Sequence, residues 1–307
     1  VPINGWYPGR KQGLKVGSYG IVPDHPLLRL EGSLTVQAWI YPTTPQKGEQ
    51  GIITKWSPDE GGGYGLFVGN NGDLCLWIGD QMGGIDQLCS GAALQASTWY
   101  FVAGAYDSEK STFSLHQNPL KTWPVGNRDI TVNRSTSVMS VGTSSVPLLI
   151  GASWGSVASL QENDPNHHFN GKIDSPRVFG GALDSDQLEQ LSQKISPWEV
   201  SQPLIAAWDF SAYISSQQIS DISHNGLDGH TVNIPMRAVT GHSWTSNETN
   251  FTQAPEEYGA IYFHDDDLSD AGWDVDFEFQ IPARLRSGIY AARLRTKDRE
   301  DYIPFYV

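Results

Sequence analysis

Apolar and polar positions alternate along most of this chain. Ser33-Leu34-Thr35-Val36-Gln37-Ala38-Trp39-Ile40 alternates polar and apolar as far as Ala38 before Trp39 and Ile40 continue it, and a period of two predicts a half-buried strand. The same pattern predicts strands at residues 52–56, 64–68 and 74–78. Residues 99–106 form another, followed by Asp107 in a turn and by a partner strand at 112–116. Residues 148–151 read as a short apolar strand. Residues 171–179 form one more, in which Pro176 predicts an edge position or a bulge. One helix interrupts the series. Asp184 stands three residues before Gln187, the spacing of a capping box, Leu188, Leu191 and Ile195 recur at helical intervals, and Pro197 ends the run. Residues 126–145 and 161–168 read as long loops. A strand follows at 204–210, a turn and strand at 226–235, and a polar linker at 243–257. The last fifty residues hold three strand-like runs.

Composition supports many short strands joined by turns, with 32 Gly, 18 Pro, 11 Trp, 12 Tyr and 11 Phe among 307 residues. The net charge is −14 with no basic cluster, which argues against nucleic acid and against an anionic membrane as partners. No apolar run approaches the roughly 18 residues of a membrane span. The chain opens at Val1 with neither an initiator Met nor a signal-peptide pattern, as a processed chain or a piece of a longer one would. It closes on the apolar strand Ile303-Pro304-Phe305-Tyr306-Val307, and a further part is expected beyond it.

The two cysteines, Cys75 and Cys89, flank a hairpin whose tip is centred on Met82, so they fall directly opposite each other. That register allows a cross-strand disulfide, whereas two reduced thiols in a cytosolic protein is the favoured expectation. Asn-x-Ser/Thr sequons occur at Asn133, Asn247 and Asn250 and carry little weight without a secretion signal.

The order of SLTVQAWIYP, GIITKW, GGYGLFV, TWYFVAGAYD, LLIGAS and HFNGKIDSPRVFGGALDSDQL resembles a laminin-G/concanavalin-A-like jelly-roll sandwich. WDFS at 208–211 and HNGLDGH at 224–230 resemble the strand and turn that usually open such a domain, here placed last. RAVTGHSW, YGAIYFHDDDLSDAGW, DFEFQIPARLRSGIYAARLR and DYIPFYV resemble the large (beta) subunit of N,N-dimethylformamidase. The resemblance implies an all-β chain with one short helix, divided into a sandwich over 1–245 and the C-terminal strands of a partial Ig-like sandwich over 246–307. It implies a bacterial, cytoplasmic parent that hydrolyses the C–N bond of small amides at an iron site with Tyr, His and Glu ligands. That site is expected in a catalytic domain beyond Val307, so no residue of this chain is assigned a catalytic, cofactor-binding or metal role. The implied partners are that catalytic domain, a small helical subunit and other large subunits. The alternative is a carbohydrate-binding lectin-like module, calcium-dependent through a metal at the sandwich rim.

Tyr290 is expected to form a tyrosine corner, its hydroxyl bonding back to nearby backbone. If the strands that should precede the Ig-like tail are missing, its apolar face is expected to lean on the sandwich or on another chain. Asp274-Val275-Asp276-Phe277-Glu278 places three carboxylates on one strand face, an arrangement that some concanavalin-A-like glycosidases use for acid and nucleophile. An Asp stands where Glu is usual, and the run belongs to the tail, so a solvated face with Val275, Phe277 and Phe279 turned inward is the better reading. His264-Asp265-Asp266-Asp267, with Asp270 nearby, has hard-cation donors but lacks the calcium-loop spacing, so a surface charge run is expected, Asp265 capping a short turn as the alternative. Asp107, Asp164 and Asp174 are the rim acids to watch, with Asp174 expected to bond loop backbone. His167 and His168, adjacent on extended chain, should point apart. Trp154 and Trp244 are candidate sugar platforms.

Overall fold

The computed structural model describes residues 6–7, 10–11, 15–57, 59, 62–80, 82, 84–120, 129–155, 164–193, 195–272, 275 and 277–307. The strands are β1 (Trp6–Tyr7), β2 (Arg10–Lys11), β3 (Tyr19–Val22), β4 (Leu34–Pro42), β5 (Gln50–Ser57), β6 (Gly62–Val68), β7 (Asp73–Gly79), β8 (Ile85–Ala93), β9 (Tyr100–Asp107), β10 (Thr112–Pro119) and β11 (Ile130–Ser135). They continue with β12 (Leu148–Ile150), β13 (Ser153–Trp154), β14 (Pro165–Asn166), β15 (Gly171–Phe179), the helix α1 (Ser185–Ser192), β16 (Leu204–Asp209), β17 (Gln218–Asp221), β18 (Gly229–Val232), β19 (Met236–Val239), β20 (Ala260–Phe263), β21 (Ile289–Arg295) and β22 (Glu300–Tyr306).

Residues 1–271 form one compact unit and 272–307 a second. In the first, every strand pairing is antiparallel. One layer runs β11-β10-β9-β4-β15-β20-β19 and the other β17-β18-β3-β12-β5-β6-β7-β8, with β16 joining them through β15 and β17. Val36, Ala38 and Ile40 of β4, Leu66 and Val68 of β6, and Leu74, Leu76 and Ile78 of β7 meet in the core between the layers, as their period of two dictates. The fold is all-β and concanavalin-A-like with a single α-helix among the described residues, as the pattern of strands and turns implied.

Four local expectations change. First, β4 is buried on both faces rather than half-buried, because its outer Trp39 joins Phe101, Phe179, Leu183, Leu188, Leu191 and Val200 in a second cluster that includes α1. Thr35 Oγ1 stitches this layer down, donating to Gly181 O and accepting from Leu183 N. Second, the expected loop at 126–145 contains β11, whose Ile130–Ser135 run pairs residue for residue with β10. Third, Cys75 and Cys89 are disulfide-bonded rather than reduced, in the cross-strand register their spacing predicted. Fourth, residues 277–280 are not a strand, and Val275, Phe277 and Phe279 are exposed rather than inward, since the small unit has no second sheet among its described residues to cover them.

Other local features match their chemistry. Asp184 accepts from Gln187 N while the Gln187 side chain accepts from Asp184 N, closing the capping box. Pro176 lies in the bulge where β15 shifts register against β4 between Asp174 and Arg177. The second unit is a hairpin of β21 and β22 in which Tyr290 stacks on Phe305 and donates its hydroxyl to Arg286 O at 2.7 Å, the expected tyrosine corner.

Candidate functional site

The β15 bulge, the outer face of β4 and the loop after β19 bring together a polar-aromatic cluster. Trp39 and Asp174 are cross-strand partners and therefore share the outer face. Asp174 Oδ2 accepts from His242 Nδ1 at 2.6 Å and from His242 N at 3.1 Å, while Ser175 Oγ donates to Oδ1 at 2.9 Å. A carboxylate only accepts, so the Nδ1 of His242 carries the proton. The imidazole lies flat on the Trp39 indole, 4.4 Å between centroids and 8° between planes, and Trp99 meets it edge-on at 6.4 Å. Gly241 leaves room for this pair, because a Cβ there would lie 2.5 Å from Asp174 Oδ2 and push the carboxylate aside.

The same loop is held at two further points. Lys172 Nζ donates to Thr240 O and Oγ1 and sits 5.4 Å over the Tyr41 ring, and burial lowers its pKa. Arg237 spreads its guanidinium over the carbonyls of Phe210, Ala212, Ser216 and Gln218. Arg177, in register with Gln37 on the same face as Asp174, is lowered to about 10 by burial, with the Asp174 charge opposing. Asp174 and His242 thus make an oriented pair, but its bonds are all to the sandwich's own backbone and side chains. Its clear effect is to clamp residues 236–244 onto β15.

The other acids and imidazoles singled out by sequence are similarly employed. Asp107 caps its turn, accepting from Glu109 N, Lys110 N and Lys110 Nζ, and these bonds outweigh burial to lower its pKa. Asp164 pairs with Lys15. Asp265 pairs with Lys47 at 2.7 Å and its N–H donates to Asn170 Oδ1, while Asp267 accepts from Ser18 Oγ at 2.6 Å. The run at 264–267 therefore ties the start of the sandwich to its end instead of standing free in solvent. His167 and His168 point apart: His167 faces Glu49, whereas His168 packs beside Tyr19, and burial lowers it to about 4. Trp154 donates Nε1 to Pro147 O, and Trp244 donates to Glu248 O with 41% of its surface exposed. Asp274 and Asp276 lie outside the described residues, and Glu278 is exposed. Sequence reasoning missed His242. Its signal was the GH pair at 241–242, where a glycine beside a polar side chain marks a close backbone approach.

Among the described residues, the grouping of metal-type ligand atoms is Asp73, Cys75 and Cys89, within 4.8 Å of one another. It contains no Tyr, His or Glu and its sulfurs are joined, so it does not match an iron centre of the expected donor set.

Comparison with known proteins places residues 14–189 in the concanavalin A-like lectin/glucanases superfamily and matches residues 236–307 to a family described as N,N-dimethylformamidase beta subunit-like, C-terminal. Over 99% of its length the chain is 35% identical to the N,N-dimethylformamidase beta subunit of an Alcaligenes species and 36% identical to that of Paracoccus aminophilus. It spans 41% of the length of each of these curated relatives. Among solved structures, a putative carbohydrate binding protein from Bacteroides ovatus superposes with a TM-score of 0.49 at 16% identity, covering 73% of this chain and 62% of the other.

Proposed function

This chain belongs to the concanavalin A-like lectin/glucanases superfamily, and we propose that it is the non-catalytic, subunit-contacting part of an N,N-dimethylformamidase-like beta subunit. The observation that carries this reading is the similarity to that subunit along 99% of the chain. The employment of the candidate acids supports it, since Asp107, Asp174, Asp265 and Asp267 each hold a loop in place. The parent chemistry, hydrolysis of a small amide by water activated at a metal, belongs to sequence that the relatives have and this chain does not span. The role of these residues is then to support that part and to contact other subunits. The test is release of dimethylamine from N,N-dimethylformamide, with and without added iron, by this chain and by a full-length beta subunit with its partner subunit. Hydrolysis is expected from the complete enzyme only, and turnover by the 307 residues alone would overturn the proposal.

A second reading, a carbohydrate-binding module, rests on the partly exposed rings of Tyr41 and Trp99, 5.5 Å apart beside the Asp174–His242 pair. Aromatic faces of this kind stack on sugar rings, with neighbouring polar groups fixing orientation. A glycan array probed with and without chelator checks it, and Trp99→Ala should abolish any signal that arises from this face.

A further inference from the structure

We propose that Asp73, Cys75 and Cys89 form a soft-metal site of the Zn²⁺ type whenever the disulfide is reduced, so that the cysteine pair alternates between two cross-links of the same edge strand. The β7–β8 register puts the two sulfurs opposite each other, and Asp73 brings Oδ1 to 3.9 Å from Cys75 Sγ. A tetrahedral zinc with Zn–S of about 2.3 Å and Zn–O of about 2.0 Å needs a sulfur–oxygen separation of about 3.5 Å and a sulfur–sulfur separation of about 3.8 Å, so Asp73 and Cys75 need only a small shift while the two sulfurs, once reduced, rotate apart. The carboxylate is already aimed, because its Oδ2 accepts from Gly91 N at 3.0 Å and leaves Oδ1 toward the sulfur. Gly69 keeps that side clear: a Cβ there would lie 2.7 Å from Cys75 Sγ and 3.0 Å from Asp73 Oδ1. Asp73 and Cys75 are buried and Cys89 is exposed, which leaves a fourth coordination position for water on the Cys89 side.

The step between the two states balances with a small thiol as reductant. Its thiolate attacks the exposed Cys89 sulfur, the S–S bond breaks, and Cys75 leaves as a thiolate. A second thiol then resolves the mixed disulfide, departing as the external disulfide and returning Cys89 as a thiol. Zn²⁺ binding releases the thiol protons, because the ligands are thiolates. Strand β8 gains from either state. It lies at the end of its layer, Asp86 pairs with Arg134 and accepts from Thr136 Oγ1, and Ser90 Oγ donates to Gln117 Oε1, so the cross-link to β7 also steadies its bridge to β10 and β11.

The experiment reduces the whole chain with a water-soluble phosphine, which leaves as the phosphine oxide, and titrates it anaerobically with Co²⁺ and with Zn²⁺ against a chromophoric chelator. One equivalent is expected on the reduced chain, with thiolate-to-Co²⁺ charge transfer, and none on the oxidised chain. Cys89→Ser should abolish binding and Asp73→Asn should weaken it at least about tenfold. Metal added before iodoacetamide should protect both thiols of the wild-type chain from alkylation, a readout that does not depend on any variant folding. Equal uptake by reduced and oxidised protein, unprotected thiols, or undiminished affinity in Asp73→Asn would each overturn the proposal.

Discussion

Gln37 is fully buried, and neither end of its carboxamide is bonded to the protein. It stands on β4 between Arg177 and Ala103, on the face roofed by α1 and its apolar neighbours. A buried polar group without a partner costs about 1–3 kcal/mol. Gln37→Met is therefore expected to raise stability by about 1 kcal/mol or more in urea unfolding, and a lower midpoint would mean that an internal water bonds the amide. This is also where sequence legibility stops at residue scale. The alternation around Gln37 reads as apolar inside and polar outside, and nothing local reveals that a helix about 150 residues later covers the polar side. The cysteine register and the tyrosine corner were legible because both depend on short, local spacing.

At the scale of elements, α1 was legible from its capping box, and the cap can be weighed directly. Asp184→Ala should cost about 1 kcal/mol, since it removes the acceptor for Gln187 N. The loss should appear as a lower midpoint with an unchanged slope, because the helix covers Trp39 and Phe101 without completing a sheet. Elements that were not legible share a cause. Strand β3 has four residues, one of them Gly20, and β11 is surrounded by Ser and Thr, so neither offers enough alternating positions to stand out. Pairing makes them strands, with the distant β12 and β18 for β3 and with β10, the strand just before it, for β11. The clamp on residues 236–244 belongs here too. His242→Ala is expected to increase amide exchange across that segment while leaving exchange in β5–β7 unchanged.

For the whole molecule, acid stability follows from ion pairs that join separate elements. Burial alone would raise the carboxyl of Asp24, but hydrogen bonds from Arg29 and from the buried Lys55 outweigh it and hold the group below its ordinary value of 3.8. Asp265, bonded to Lys47 and Asn170, is lowered in the same balance. A carboxyl with a depressed folded pKa stabilises fully above its unfolded pKa and loses that contribution as pH falls through the folded one. Urea midpoints should therefore begin to fall near pH 6.5, where the unfolded chain protonates His168 while burial holds its folded pKa at about 4, and fall further below about pH 4 as the carboxylates protonate; Asp24→Asn should flatten only the lower part of that fall.

The placement of β3 has a consequence for how the molecule is made. This early strand lies between β12 and β18, and Ser18 reaches Asp267 across 249 positions of sequence. Contacts this distant form late, because a long chain must close before they return any free energy. On a ribosome, β3 emerges before all its partners and must wait for residues 148–150, then 229–232, and finally 264–267, which bond Ser18. Until then the second layer is incomplete, and nascent chains should engage holdase chaperones until residues 264–267 have emerged. A fragment ending at residue 189, where the first family match ends, lacks β16 to β20 and should fail to give cooperative unfolding, whereas 15–271 should fold alone.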